Sequence, residues 1–246
     1  LGLTRKGIME SFLTAEKLAD GLLWYVVFLF STTLHEAAHA FAAMKMGDYT
    51  AYHGGQVTLN PIPHVQREPF GLVLVPIVSF LLGGWMMGWA SAPYDPEWAL
   101  RYPRRSALMS LAGPAANLLL VLVSALFIKV GIAYGVFVPP ESINFMHLTE
   151  AAGGGTLVHV ATMLSVFFSL NLLLFAFNLL PVPPLDGSGA LPLFMSERLG
   201  QKYTLLFHRS GFAILGLFLA WKLFGYIYSP IHLIAINLLY PGMHYR

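Results

Sequence analysis

The residues with the clearest chemical potential are His35, Glu36 and His39, which form the pattern HEAAH near the end of a long apolar stretch. Side chains four residues apart lie on the same face of an α-helix, so the two imidazoles can offer nitrogen ligands to one metal ion. Zinc is the expected ion, because neutral imidazoles suit it and a catalytic site needs only one further protein ligand besides water. Glu36 is then placed to take a proton from that water during hydrolysis of a peptide bond.

A short pattern of this kind also arises by chance, so its place in the chain matters. The stretch that carries it, residues 22–46, is uncharged before Glu36 and long enough to cross a bilayer. We expect it to be the first core helix, ended by Gly47. Because ionisable side chains inside a membrane are costly and usually mark function, this location favours a metal site over a chance match.

The composition is that of a membrane protein. Hydrophobic residues make up 57% of the 246 residues and charged residues 11%, with a mean hydropathy of +0.65, which excludes an ordinary soluble domain. A net charge of +2 with scattered basic residues argues against nucleic-acid binding, and the lack of cysteine excludes thiolate ligands and a cysteine nucleophile. We predict an all-α polytopic membrane protein with about five to six transmembrane or re-entrant helices.

Three parts of the chain are predicted. Residues 1–20 are amphipathic and indicate an interfacial N-terminal segment. Residues 21–190 are the predicted metalloprotease core. Residues 191–246 are predicted to form an interfacial helix and a C-terminal transmembrane helix.

The predicted third metal ligand is Asp186, in the sequence PVPPLDG over residues 181–187. Three prolines must unwind the apolar helix predicted over residues 156–180. Unwound backbone at membrane depth is tolerated only where it lines a protein cavity or water, so Asp186 is presented at such a place. The alternative is a solvated turn aspartate before Gly187, which the local sequence alone favours.

Residues 48–69 predict a short β-hairpin or edge strand after the HEAAH helix. They contain β-branched and aromatic residues, a glycine pair and two prolines that disfavour helix. A strand over Val57, Thr58 and Leu59 would hold a substrate in extended form by β-addition. An ordinary interfacial loop is an equally supported alternative.

Asn117 lies in a later apolar stretch, residues 106–133, within the sequence AGPAAN. An asparagine in lipid needs a hydrogen-bonding partner. That partner is either a substrate or oxyanion in a catalytic cavity, or a neighbouring helix. The residues alone favour the neighbouring helix.

The positions of the ligands restrict how the chain crosses the membrane. His39 lies near the end of its helix and Asp186 follows the end of another, so these helices must run parallel with an odd number of crossings between them. Two apolar stretches intervene, residues 70–92 and 106–133. We favour a path in which residues 70–92 do not fully cross, because glycines and a proline interrupt them. A hidden passage in residues 134–155 and a reversal at the prolines before Asp186 are the alternatives.

Three motifs in this order, HEAAH, AGPAAN and NLLPVPPLDG, resemble the site-2 protease family of intramembrane zinc metalloproteases over residues 20–190. The chain looks like the compact members of that family, which lack PDZ or CBS domains. The resemblance implies that His35, His39 and Asp186 are zinc ligands and that Glu36 is the general base. It also implies that Asn117 and Asn178 belong to the catalytic cavity.

The sequence therefore predicts an intramembrane zinc metalloprotease, with one Zn²⁺ per chain, that hydrolyses a peptide bond in or near a substrate transmembrane helix. Its expected partners are that membrane protein substrate, the lipid bilayer and a regulatory membrane protein, and no nucleic acid. The expected location is the cell membrane, with the active site nearer the cytosolic face, which the resemblance alone implies. The alternative is a membrane zinc-binding or transport protein that uses the same ligands without hydrolysis.

Overall fold

Helices make up most of the computed structural model of the protein, which describes residues 14–209, 212–243 and 245. The α-helices are α1 (Ala15–Met46), α2 (Thr50–His53), α3 (Pro61–Arg67), α4 (Val75–Gly83), α5 (Pro96–Arg101), α6 (Pro103–Ala133), α7 (Thr156–Asn178), α8 (Asp186–Ala190), α9 (Glu197–Arg209) and α10 (Phe212–Leu239). A π-helical turn, Phe70–Leu74, leads into α4, and a 3₁₀ turn, Leu191–Phe194, follows α8. Within the described residues, α1, α6, α7 and α10 are long and apolar enough to cross a membrane. The predicted all-α polytopic class is confirmed.

The first core helix begins at a threonine cap and ends at a glycine. The Thr14 hydroxyl accepts a hydrogen bond from the Lys17 amide, and Gly47 takes a left-handed φ of 103° that closes the last turn. The predicted end of this helix at Gly47 is confirmed. Most of the predicted interfacial segment, residues 1–13, lies outside the described residues, whereas residues 15–20 are the first turns of α1.

The described chain contains a two-stranded antiparallel sheet, but not where the sequence placed a strand. Strands β1 (Phe137–Val138) and β2 (Glu150–Ala151) pair in the connection between α6 and α7. The predicted strand over residues 57–59 is wrong, because these residues form a bend before α3. The Asn60 side chain caps α3 and Pro61 is its first residue, a position where the missing amide hydrogen has no partner to lose. The prolines predicted to disfavour a helix therefore lie in the first turn of one.

The second apolar stretch, residues 70–92, reverses its direction within the fold. Its helical part is bent by 112° from α3 and ends at Gly84, which has a left-handed φ of 75°. The Trp89 amide then donates to the Gly71 carbonyl at 3.3 Å, and the Ser91 hydroxyl donates to the Glu68 carboxylate at 2.6 Å. The end of the stretch thus lies beside its beginning, which supports the predicted re-entrant path. On that path, α6 is the one crossing between α1 and α7 in the described chain, which gives the odd number that the ligand positions require.

Helix α7 lies at the centre of the molecule. Half of the residues in its most apolar part are buried, compared with 11% in α10. One side of α7 packs against α1 and the re-entrant stretch, in a cluster that includes Trp24, Phe28, Leu72 and Val166. Another side packs against α6 and α10, in a cluster that includes Val121, Ile128, Phe168 and Ile236. Polar side chains on α7 are therefore positioned to reach both α1 and α6.

Candidate metal centre

The fold brings three ligand atoms to one point. His35 Nε2 lies 3.0 Å from His39 Nε2 and 3.1 Å from Asp186 Oδ2. The distance from His39 Nε2 to Asp186 Oδ2 is 3.3 Å. Zinc bonds of about 2.0–2.1 Å place the ligand atoms of a tetrahedral centre about 3.3 Å apart, so the triangle has nearly the size that one ion requires. The side chains of both histidines are 9% exposed and that of Asp186 is 20% exposed. The three predicted ligands are thus together, although they come from α1 and α8.

The hydrogen bonds on the far sides of the imidazoles show which nitrogens face the centre with lone pairs. His39 Nδ1 lies 2.7 Å from the Met109 carbonyl oxygen, which can only accept, so Nδ1 donates the hydrogen. His35 Nδ1 donates in the same way to the Asn117 side-chain oxygen at 2.6 Å. Each neutral ring therefore presents an Nε2 lone pair towards the Asp186 carboxylate. Three facing electron-pair donors repel one another unless a cation lies between them, so this set of atoms fits Zn²⁺.

Asp186 reaches the centre because the chain folds back sharply after α7. Gly187 makes this possible, since a Cβ at that position would overlap the Leu179 carbonyl oxygen. The Asp186 carboxylate is thus only partly exposed and lies against two histidines. This geometry favours the metal-ligand prediction over the solvated turn.

Glu36 lies beside the ligands on α1 and is 7% exposed. Within the part of the chain that the structure describes, its carboxylate accepts no hydrogen bond and forms no ion pair. A carboxylate that accepts no hydrogen bond and lies beside a set of metal ligands is typical of a functional group rather than of a packing residue. The geometry therefore leaves Glu36 available to a water molecule at the centre.

The AGPAAN motif brings α6 against the two histidines. A Cβ at Gly113 would overlap the Nε2 atoms of His35 and His39, so glycine lets the α6 backbone lie directly on the ligands. Met109, about one turn before Gly113, contributes the carbonyl that holds His39, and Asn117, one turn after it, holds His35. Asn117 is completely buried and bonds to neighbouring helices. The structure thus favours a neighbouring helix, rather than a substrate or oxyanion, as the partner of Asn117.

The two asparagines of α7 have different environments. Asn178, predicted from the resemblance to belong to the catalytic cavity, donates to the Leu174 carbonyl of its own helix at 3.0 Å, and its cavity role stays a prediction. Asn171, which the sequence analysis did not single out, is completely buried and accepts a hydrogen bond from Asn117 at 2.8 Å. The sequence could have indicated Asn171 by its residue type, because an asparagine in an apolar spanning helix needs a hydrogen-bonding partner.

The three residues predicted to hold substrate lie in the bend before α3. The Thr58 carbonyl accepts a hydrogen bond from His64 Nε2 at 3.1 Å, and the Thr58 hydroxyl accepts one from the Asn60 amide. Thr58 therefore shapes the local turn. A role of Val57, Thr58 and Leu59 in substrate binding stays a prediction, without the strand that motivated it.

Comparisons with known proteins find a peptidase family and relatives named as zinc metalloproteases. The family model described as peptidase family M50 matches residues 23–219. A Bacillus subtilis (strain 168) protein named "Putative zinc metalloprotease YwhC" is 36% identical over 163 residues, which are 66% of this chain and 64% of that protein. "Putative zinc metalloprotease Rip2" of Mycolicibacterium smegmatis (strain ATCC 700084 / mc(2)155) is 31% identical over 163 residues, which are 66% of this chain and 53% of that protein.

A longer match is found in Mycobacterium tuberculosis (strain ATCC 25618 / H37Rv), whose protein, also named "Putative zinc metalloprotease Rip2", is 29% identical over 244 residues. That match covers 94% of this chain and 82% of the relative. The chain spans slightly under two thirds of the Bacillus relative, at 64%, and about half of the Mycolicibacterium relative, at 53%. No solved structure matches the chain significantly.

Proposed function

This chain belongs to peptidase family M50, the site-2 protease family, and from this premise we propose that it is an intramembrane zinc metalloprotease. The proposed reaction is hydrolysis of a peptide bond in or near a transmembrane helix of a substrate protein. The observation that carries the proposal is the convergence of His35, His39 and Asp186 beside Glu36, within the helices of a multi-pass membrane protein. The metal-ligand set and a carboxylate available to water are the parts that such hydrolysis requires.

In the proposed mechanism, His35, His39 and Asp186 would hold one zinc ion, which would lower the pKa of the attacking water and polarise the scissile carbonyl. Glu36 takes the proton from that water as its oxygen forms a bond to the carbonyl carbon. When the C–N bond breaks, Glu36 returns the proton to the leaving amine. The proton and the water atoms are thereby accounted for, with one new carboxyl and one new amino terminus.

The position of the ligands along α1 supports a substrate that is itself in the membrane. His39 lies about two helical turns, roughly 11 Å, before the end of α1 at Met46. A bond cleaved at this depth belongs to a segment that enters the bilayer, and a helix must unwind locally to expose it, because helical peptide groups are hydrogen-bonded within the helix. We further propose, from the family, that the site faces the cytosolic side of the cell membrane and that a partner membrane protein regulates cleavage.

The test combines metal content and cleavage in the same purified samples. We expect about one zinc per chain in the wild type, as one catalytic site requires. Glu36→Gln should retain this zinc and lower the cleavage rate of a model transmembrane substrate by at least about 100-fold, the scale of general acid–base catalysis. Asp186→Ala should lose both zinc and cleavage.

Glu97→Gln is the matched control, because it makes the same chemical change at an exposed glutamate on α5, outside the metal centre. It should retain zinc and cleavage. Cleavage that survives Glu36→Gln would overturn the proposed chemistry. Bound zinc without cleavage by the wild type, in the presence of a cleavable substrate, would instead favour the zinc-binding or transport alternative.

A further inference from the structure

A buried chain of polar side chains joins α1, α6 and α7 behind His35. His35 Nδ1 donates to Asn117 Oδ1 at 2.6 Å, and Asn117 Nδ2 donates to Asn171 Oδ1 at 2.8 Å. Asn171 Nδ2 in turn donates to the Phe167 carbonyl at 2.8 Å and to the Ser31 hydroxyl at 2.9 Å. Asn117, Asn171 and Ser31 are all 0% exposed, so water does not compete for these bonds.

The donor and acceptor of each hydrogen bond in this buried polar chain are determined by the Phe167 carbonyl at its far end. The Phe167 carbonyl oxygen can only accept, so the amide nitrogen of Asn171 must face it. The side-chain oxygen of Asn171 then faces Asn117, whose amide nitrogen must turn towards that oxygen. This leaves the oxygen of Asn117 facing His35, and an oxygen at that position requires a hydrogen on His35 Nδ1.

We infer that Asn171 is a positioning residue of the metal centre, which sets the tautomer of His35 by orienting the Asn117 amide. The inference rests on the proposed function, because it concerns a ligand of the same metal. With the hydrogen on Nδ1, the neutral His35 ring offers its Nε2 lone pair to the ion. Without Asn171, the Asn117 amide can turn over and donate to Nδ1, which moves the ring hydrogen to Nε2, where it blocks the ion.

The first test is the zinc affinity of purified protein, measured by competition with a chelator. Asn171→Leu should weaken zinc binding by about 10- to 100-fold, the usual loss when the partner of a ligating histidine is removed. Asn237→Leu is the control, because Asn237 donates to the carbonyl four residues before it on α10, as Asn171 does on α7. The control should bind zinc like the wild type.

A second substitution distinguishes positioning from simple loss of a helix contact. In Asn117→Asp, both side-chain oxygens are acceptors, so the hydrogen on His35 Nδ1 no longer depends on which way residue 117 turns. The double variant N117D/N171L should therefore bind zinc at least about tenfold more tightly than N171L, a recovery within the range of the original loss. A merely structural role of Asn171 predicts no such recovery.

The outcomes separate this inference from the proposed function. A wild type that binds no zinc would overturn the proposed function itself. Wild-type zinc binding that N171L leaves unchanged, or a loss that N117D does not recover, would overturn only the role of Asn171. Asn171→Ala removes the same amide and carries the same expectation if N171L does not fold.

Discussion

Helices α7 and α10 are both long and apolar, yet their roles in the fold differ. The mean hydropathy of the most apolar 18-residue part is 2.1 in α7 and 1.4 in α10, and the same part is 50% buried in α7 and 11% buried in α10. Asn171, which takes part in the buried polar chain behind the candidate metal centre, lies on the more buried of these two helices. Hydropathy identifies a membrane span, but the pairing of its polar side chains identifies the span that holds the site.

Three glycines in α6 and α10 provide matched probes of the difference between the helices around the candidate metal centre and α10. A Cβ would overlap ligand nitrogens at Gly113, would overlap the Pro183 carbonyl oxygen at Gly216, and would meet no atom within 4 Å at Gly225. The same change to alanine therefore tests the metal centre, the contact of α10 with the loop before Asp186, and the outer surface of α10. The expected effects decrease in that order.

Gly113→Ala should have the largest effect. The added methyl group must displace the imidazoles of His35 and His39, and a displacement of about 1 Å at a reacting centre lowers the rate by about 100-fold. We expect at least this loss of cleavage, together with loss of bound zinc, both measured on the purified variant. A variant that retains the wild-type zinc content would contradict the close packing of α6 on the ligands.

Gly216→Ala should have an intermediate effect. The methyl group pushes α10 away from the Pro183 backbone, and overpacking of this kind costs about 1–3 kcal/mol of stability. We expect a lower unfolding temperature and a loss of zinc affinity smaller than that of Gly113→Ala, because Asp186 lies three residues beyond Pro183. An unfolding temperature equal to that of the wild type would show that α10 does not stabilise the loop that contains Pro183.

Gly225→Ala should have the smallest effect. The methyl group enters open space, and alanine favours a helix over glycine by up to about 1 kcal/mol. We expect unchanged zinc content and cleavage, and an unfolding temperature equal to or slightly above that of the wild type. A clear loss of cleavage would indicate that this surface of α10 contacts the substrate or a partner, and would remove the contrast with α7.

The geometry of the candidate metal centre was largely predictable because it depends on short spacings and on residues that interrupt helices. The four-residue spacing of His35 and His39 determines a shared helix face, and Gly47 determines where that helix ends. Three prolines before Asp186 require an interruption of the helix, which the structure has between α7 and α8. The family resemblance found in these motifs is confirmed by the match to the M50 family model.

The features that the sequence did not predict have one local cause, a helix cap, and otherwise depend on long-range contacts. Pro61 begins a helix rather than excluding one, because the Asn60 cap determines its role. The strand predicted at residues 57–59 found no partner, whereas the short β1 and β2 pair with each other. Asn171 differs from Asn178 only by its neighbours on α1 and α6, which no local pattern reveals.

The polar chain behind His35 also has a consequence for biosynthesis. Ser31 and Asn171 are 140 residues apart in sequence, and Asp186 is later still. Because the chain leaves the ribosome from its N-terminal end, α1 enters the bilayer with its histidines long before their partners exist. The candidate metal centre cannot be complete until residue 186 has been translated, so a nascent chain lacks the third predicted ligand, and with it the proposed hydrolytic activity, until that point of its synthesis.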